Sequence, residues 1–192
     1  MKNVLLIGDS IRQGYDKAVK EALDGVANVY FPESNSGDIS MVLRSLPDFP
    51  YSLKFDGSDI DIIHWNAGLW DCVHRCGEEA HTPYEIYRYF VDRVCSRMKK
   101  LFPNATIIFA TSTSVISEKM SPDFKRYNEE IEEYNRIAVE VVTKYGFLVN
   151  DLYSLSLTLP EEAHSDAVHY YTPLGTEVFS KRVLEVISPL FK

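Results

Sequence analysis

The sequence predicts an α/β protein, a three-layer α/β/α sandwich around a flavodoxin-like five-stranded parallel sheet of order 2-1-3-4-5. Three observations carry this. Short apolar runs alternate with helical patterns along the chain, as repeated βα units require. Two of the runs, Val4-Leu5-Leu6-Ile7 and Ile107-Ile108-Phe109-Ala110, are apolar at every position, as expected of parallel strands covered by helices on both faces. The 192 residues, 45% hydrophobic and 25% charged, suit one domain over residues 1–192 with one sizeable core, and no repeat or linker divides them.

Strands are predicted at residues 3–7, 28–31, 60–65, 106–110 and 147–150, each rich in Val, Ile or Phe and bounded by Gly, Pro, Asp or Asn. Thr82-Pro83-Tyr84-Glu85 predicts a helix start, with Thr82 as N-cap, Pro83 at the first helical position and Glu85 closing a capping box. That helix carries Phe90, Val94, Met98 and Leu101 on one face and stops at Pro103-Asn104. Between residues 125 and 145, Ile131, Tyr134, Ala138, Val141 and Val142 recur at helical spacing. Glu132 with Arg136 and Glu140 with Lys144 are placed as ion pairs on its wet side. The last helix opens at Thr172-Pro173 and runs towards Ser188.

The net charge of −8 repels phosphate backbones and anionic lipid surfaces, so neither nucleic acid nor a membrane is an expected partner. Three cysteines, Cys72, Cys76 and Cys95, are too few and too unevenly spaced for a disulfide framework. No apolar run reaches membrane-spanning length, and the apolar part of residues 1–8 is too short for a signal peptide. A cytoplasmic protein is expected.

In an open parallel sheet, ligands bind beyond the carboxyl ends of the strands at the switch point. After the first strand stands Gly8-Asp9-Ser10. A serine there sits at a helix N-terminus, where partial positive charge favours a developing anion; its plainer reading is a helix cap. After the second strand, Gly37 either offers a backbone N–H to an oxyanion or is a loop glycine chosen for its φ. After the third, Asn66 either aims its amide at the same point or forms a turn. Trp70 either walls a pocket with Asp9, or stacks on a sugar, or packs in the core. Near the far end, Asp166 and His169 stand three residues apart in a loop before a helix. The carboxylate can hold one ring nitrogen and leave the other for a serine.

Together these positions resemble the SGNH (GDSL-type) hydrolases from end to end. Gly8-Asp9-Ser10 is similar to the family's first block, Gly37 to the glycine of the second, Asn66 to the asparagine of the third, and Asp166-Ala167-Val168-His169 to the fifth. The third block departs from the commoner Gly-x-Asn-Asp form, reading Trp65-Asn66-Ala67-Gly68. The resemblance implies an esterase with a Ser10–His169–Asp166 triad and an oxyanion hole of Ser10, Gly37 and Asn66. It implies a small-molecule or oligosaccharide ester as substrate, and bacterial carbohydrate O-acetylesterases are the members it looks most like. Lysophospholipase or acyl-thioesterase chemistry is the alternative within the family, and a carbohydrate-binding module on the same fold is the non-enzymatic one. No cofactor or metal is expected. A flavin site would want its Ser/Thr-rich loop after the first strand, whereas Thr111-Ser112-Thr113-Ser114 follows the fourth. The spacing of Cys72, His74 and Cys76 fits neither Cys-x₂-Cys nor His-x₃-His.

Overall fold

The computed structural model of the chain describes residues 1–191. In chain order its elements are β1 (Lys2–Ile7), α1 (Ser10–Ala22), β2 (Ala27–Tyr30), α2 (Ile39–Ser45), α3 (Phe49–Leu53), β3 (Ile62–Trp65), β4 (His74–Arg75), α4 (Tyr84–Leu101), β5 (Thr106–Ala110), β6 (Phe124–Lys125), α5 (Asn128–Lys144), β7 (Leu148–Asn150), α6 (Leu152–Leu157) and α7 (Pro173–Ile187). The sheet runs β2-β1-β3-β5-β7. Counted over its own strands this is the predicted order 2-1-3-4-5, and every pairing is parallel. α1 packs on α7, while α2, α4 and α5 pack in a row to make the other helical layer.

Burial follows the apolar pattern. Val4, Leu5, Leu6 and Ile7 of β1 and all four residues of β3 are buried, because both faces of these central strands lie under helices. Leu148 and Val149 of β7 are exposed, as an edge strand permits. The face that α4 buries is Tyr87, Val91, Val94, Cys95 and Met98, at three- and four-residue steps. Phe90 and Leu101, predicted on that face, are only partly buried at its margin. In α5, Ile131, Tyr134, Ala138, Val141 and Val142 are all buried as predicted.

Several local expectations give way to longer-range contacts. No capping box forms at α4: Thr82 lies outside the helix, Pro83 is the capping residue without a side-chain bond, and the Thr82 hydroxyl serves the buried carboxylate of Asp71. Arg136 pairs with Glu133, three residues back, and not with Glu132, because Glu132 is taken by the Tyr153 hydroxyl at 2.9 Å. Glu140 and Lys144 do pair, at 3.0 Å. β3 starts two residues later than predicted because the Asp61 carboxylate turns back to Lys2 and to the Asn3 N–H. Phe147 stays out of β7 because its N–H closes the end of α5 on the Val142 carbonyl at 3.1 Å. β2 begins and ends one residue early. The short antiparallel ribbon of β4 with β6 was not legible in the sequence. Among the described residues no helix is long and apolar enough to cross a membrane.

Candidate active site

The chain leaves β1 at Ile7 and enters α1 at Ser10, so the Gly8-Asp9 turn sets where the serine points. Asp9 does the capping: its carboxylate accepts the Ile11 N–H at 2.9 Å, and Ser10 becomes the first helical residue with its side chain free. Across 159 positions of sequence, His169 Nε2 lies 2.8 Å from Ser10 Oγ. His169 Nδ1 lies 2.7 Å from Asp166 Oδ2. The second Asp166 oxygen accepts the N–H groups of Val168 and His169 at 2.7 and 2.8 Å, so the Asp-x-x-His segment is a turn folded around its own carboxylate. Partial burial pushes the Asp166 carboxyl up, but the His169 ring and these two N–H donors outweigh it, and the group lies below the ordinary carboxylate range. With an anionic Asp166 holding Nδ1–H, Nε2 is the nitrogen left to accept a proton from Ser10.

Asn66 lies beside this line. Its backbone N–H continues the β1–β3 ladder to the Ile7 carbonyl at 3.1 Å. The residue is 1% exposed, and neither amide atom has a partner at ordinary hydrogen-bond geometry, although the Asp9 carboxylate is close enough to be stabilised by the amide. An unpartnered buried amide is costly unless something completes it. Gly8 makes the space it occupies: a Cβ there would stand 1.9 Å from Asn66 Oδ1 and 2.9 Å from Arg12 Cβ.

The loop after β2 is tied to the serine turn twice. Ser36 N–H donates to the Gly8 carbonyl at 3.0 Å, and Arg12 Nη2 donates to the Ser34 carbonyl at 2.8 Å. Arg12 is wholly buried and ion-paired with Asp16 one turn along α1. Gly37 adopts φ +66°, open to glycine and strained for other residues, and a Cβ there would meet Met41 Sδ at 2.5 Å. Its N–H is not free in this state: it donates to the Asn35 side chain at 2.7 Å.

The loop after β3 is held from below, with the Ala67 carbonyl accepting from the Tyr87 hydroxyl at 3.0 Å and from Ser112 at 3.2 Å. Asp71 then reaches across to the start of α2, where its oxygens accept the Ile39 N–H at 3.1 and 3.3 Å. The loops carrying Gly37 and Asn66 are thereby joined. Burial pushes the Asp71 carboxyl up to about 7, with the negative charges of Asp38 and Asp9 adding to the rise.

Of the two predicted pocket residues, Asp9 is placed differently. Asp9 is fully buried beneath the serine turn and lines no pocket, because its carboxylate is spent on capping α1. Burial raises its carboxyl, against the pull of Asn66, the Ile11 N–H, Arg126 and Arg12. Trp70 is half-buried and packs edge-on against Phe124 of β6 at 5.9 Å, with the buried Arg126 guanidinium 5.6 Å from its ring. His74 stands between the Glu78 carbonyl at 3.0 Å and the Glu130 carboxylate at 2.6 Å, so both ring nitrogens are taken. Among the described residues, no group of three or more His, Cys, Asp or Glu side chains is arranged to hold a metal ion.

Arg12, Asn35, Asp71 and Tyr171 escaped sequence reasoning. Only Arg12 left a usable signal, its four-residue spacing to Asp16 on the helix that Ser10 opens.

No protein-family model and no curated protein matches the sequence. Solved structures do match it across nearly the whole chain. A lipase/acylhydrolase from Enterococcus faecalis superposes with a TM-score of 0.75 at 19% identity, over 98% of this chain and 96% of its own. The acetyl xylan esterase AlAXEase gives 0.76 at 17%, over 96% and 99%. An acetyl xylan esterase from Geobacillus stearothermophilus gives 0.71 at 17%, over 97% and 94%. At these identities the likeness is one of fold, and the shared fold is the three-layer α/β/α sandwich around a five-stranded parallel sheet.

Proposed function

We propose that a chain with this fold and these residues is a serine ester hydrolase, with Ser10 as nucleophile, His169 as base and Asp166 as the carboxylate that orients the base. One observation carries the reading: Ser10 Oγ, His169 Nε2, His169 Nδ1 and Asp166 Oδ2 form a continuous line with steps of 2.8 and 2.7 Å. Such a line can move the serine proton to the imidazole as Oγ attacks an ester carbonyl. The carbonyl carbon becomes tetrahedral, its oxygen takes up negative charge, and collapse expels the alcohol with the proton that His169 returns. Water then attacks the acyl-serine by the same route, with His169 again as base.

The developing oxyanion needs donors. The Asn66 amide is buried beside the serine turn with no close partner but the Asp9 carboxylate, and we assign it first. The Ser10 N–H is at the helix start. The Gly37 N–H would join once it leaves the Asn35 side chain. In Ser10→Ala, hydrolysis of p-nitrophenyl acetate should vanish while the circular dichroism spectrum stays that of the native chain. Retained turnover in that variant refutes the assignment.

For the substrate we propose short-chain, acetyl-type esters on carbohydrates. Two of the matched structures are acetyl xylan esterases, which supports this reading. The Enterococcus lipase/acylhydrolase supports a second reading, hydrolysis of longer acyl esters. A chain-length series of p-nitrophenyl esters beside acetylated xylo- and manno-oligosaccharides separates them. A preference for long acyl groups would replace the first reading with the second. We also propose a reducing, cytoplasmic setting, which suits three unpaired cysteines.

A further inference from the structure

Two residues beyond the base, Tyr171 connects the two ends of the chain at the site. Its ring lies nearly parallel to the His169 ring, with centroids 4.7 Å apart and planes 25° apart. Its hydroxyl donates to the Ser10 backbone carbonyl at 2.7 Å. One residue thus touches the base through its ring face and the nucleophile's main chain through its oxygen. α1 is shaped to receive it, since a Cβ on Gly14 would stand 3.0 Å from Cδ1 and Cε1 of Tyr171. The backbone behind is fixed as well. The Tyr171 N–H donates to Ser165 Oγ at 3.2 Å, and Ser165 donates from both its N–H and its hydroxyl to the His169 carbonyl, at 2.8 and 3.2 Å.

The His169 ring is the group whose charge changes during the proposed reaction, from neutral to imidazolium as it takes the Ser10 proton. An aromatic face carries negative quadrupole density and attracts a cation set against it. The other groups bearing on this ring are few. Asp166 holds Nδ1, and Ser10 faces Nε2. Asp9 and Arg12 lie under the serine turn, near enough for their charges to reach the Tyr171 hydroxyl. His164 stacks on Tyr170 at 3.9 Å, on the same loop.

We propose that Tyr171 is a positioning residue with two separable parts: its ring stabilises the protonated form of His169, and its hydroxyl fixes the main chain of Ser10. The inference rests on the hydrolase reading for its chemistry, but its first test needs no turnover.

That test is an NMR titration of the full-length chain with labelled histidine, the His169 signal being assigned by its loss in His169→Gln. Replacing Tyr171 by Leu removes the ring face and the hydroxyl together, and Tyr171→Phe removes the hydroxyl alone. The His169 midpoint should fall in Tyr171→Leu, with proton affinity lower by about threefold to tenfold, and should stay in place in Tyr171→Phe. Tyr171→Met repeats the non-aromatic test should the Leu variant fail to fold, with urea unfolding as the check. On p-nitrophenyl acetate, Tyr171→Phe should lower kcat by about fivefold, the scale of one lost hydrogen bond, with KM unchanged. A His169 midpoint that is the same in the wild-type, Leu and Met chains overturns the role of the ring. A Phe variant whose midpoint moves as far as that of Leu does so too. An unchanged kcat in Tyr171→Phe overturns the role of the hydroxyl. Should the wild-type chain hydrolyse no ester at all while the midpoint still moves in Tyr171→Leu, the hydrolase reading fails and the ring assignment stands.

Discussion

Gly8→Ala is the smallest change that should disable the site without touching a residue of the proposed machinery. Gly8 is not in a left-handed conformation, so backbone strain is not at issue; crowding is. The added methyl would sit 1.9 Å from Asn66 Oδ1, 2.9 Å from Asn66 Cγ and 2.9 Å from Arg12 Cβ. Arg12 cannot retreat, because it is fully buried, paired with Asp16 and bonded to the Ser34 carbonyl. The Asn66 amide must therefore swing away. Overpacking of this kind costs about 1–3 kcal/mol of stability. Losing one oxyanion donor costs roughly 2.7–4 kcal/mol at the transition state, a fall in kcat on the order of 10²–10³.

The measurements are kcat and KM for p-nitrophenyl acetate, with urea unfolding of the same preparations. The expected result is a folded protein, a kcat lowered on that scale and a KM changed little. Adding Asn66→Ala decides the cause. If the methyl acts by displacing the amide, Gly8→Ala/Asn66→Ala should be no slower than Asn66→Ala alone, a strongly non-additive cycle. Losses that multiply, or a Gly8→Ala variant with wild-type kcat, would refute the reasoning.

Asp71→Asn should change how stability depends on pH. The buried carboxyl keeps its proton up to about 7 in the folded chain and sheds it near 3.8 when unfolded. Between those values the folded chain binds the extra proton, so wild-type stability falls as pH rises from about 4 to about 7. The amide still accepts the Ile39 N–H and removes that slope, so urea unfolding should find the variant ahead above pH 7 by up to roughly 4 kcal/mol and level with wild type near pH 4. His64, held down to about 3 by burial, contributes the opposite slope between about 3 and 6.5, and cancels in the difference between the two chains. Parallel pH profiles for the two would count against it. Thr172→Ala removes the cap of α7, whose hydroxyl oxygen accepts the Gly175 N–H at 3.1 Å and whose hydroxyl donates to the Ala163 carbonyl at 2.8 Å. A loss of about 1 kcal/mol is expected, read as a lower thermal midpoint; an unmoved midpoint would show the cap to be idle.

What could be read from the sequence was what depends on local pattern. Apolar runs and βα alternation are enough to order the sheet, because parallel connections allow few arrangements. Ser10, Asp166 and His169 could be put forward from the sequence because Ser10 follows the first strand and the Asp-x-x-His pair lies in the loop before the last helix. The misses share another cause: two local partners were available, and a distant residue chose between them. Asp9 and Ser10 could each cap α1, and Asp9 does so, leaving the serine side chain for His169. Glu132 and Glu133 could each meet Arg136, and Tyr153 of α6 claims Glu132. Thr82 matched a capping box until the buried Asp71 took its hydroxyl. Asn35 illustrates a further limit: its spacing to Gly37 is that of an Asx turn, but the sequence does not say that this turn forms on the N–H proposed for the oxyanion.

Ser10 and His169, the proposed nucleophile and base, lie 159 residues apart and are brought together by the packing of α1 against α7. A chain still emerging from the ribosome carries Ser10 for 159 residues before it carries the proposed base. On the proposed reading, neither a growing chain that lacks His169 nor one with α7 undocked from α1 can act on an ester by this route. Ester turnover would then report the closing of the turn after β1 against the loop before α7, which spectroscopy of helix content would miss.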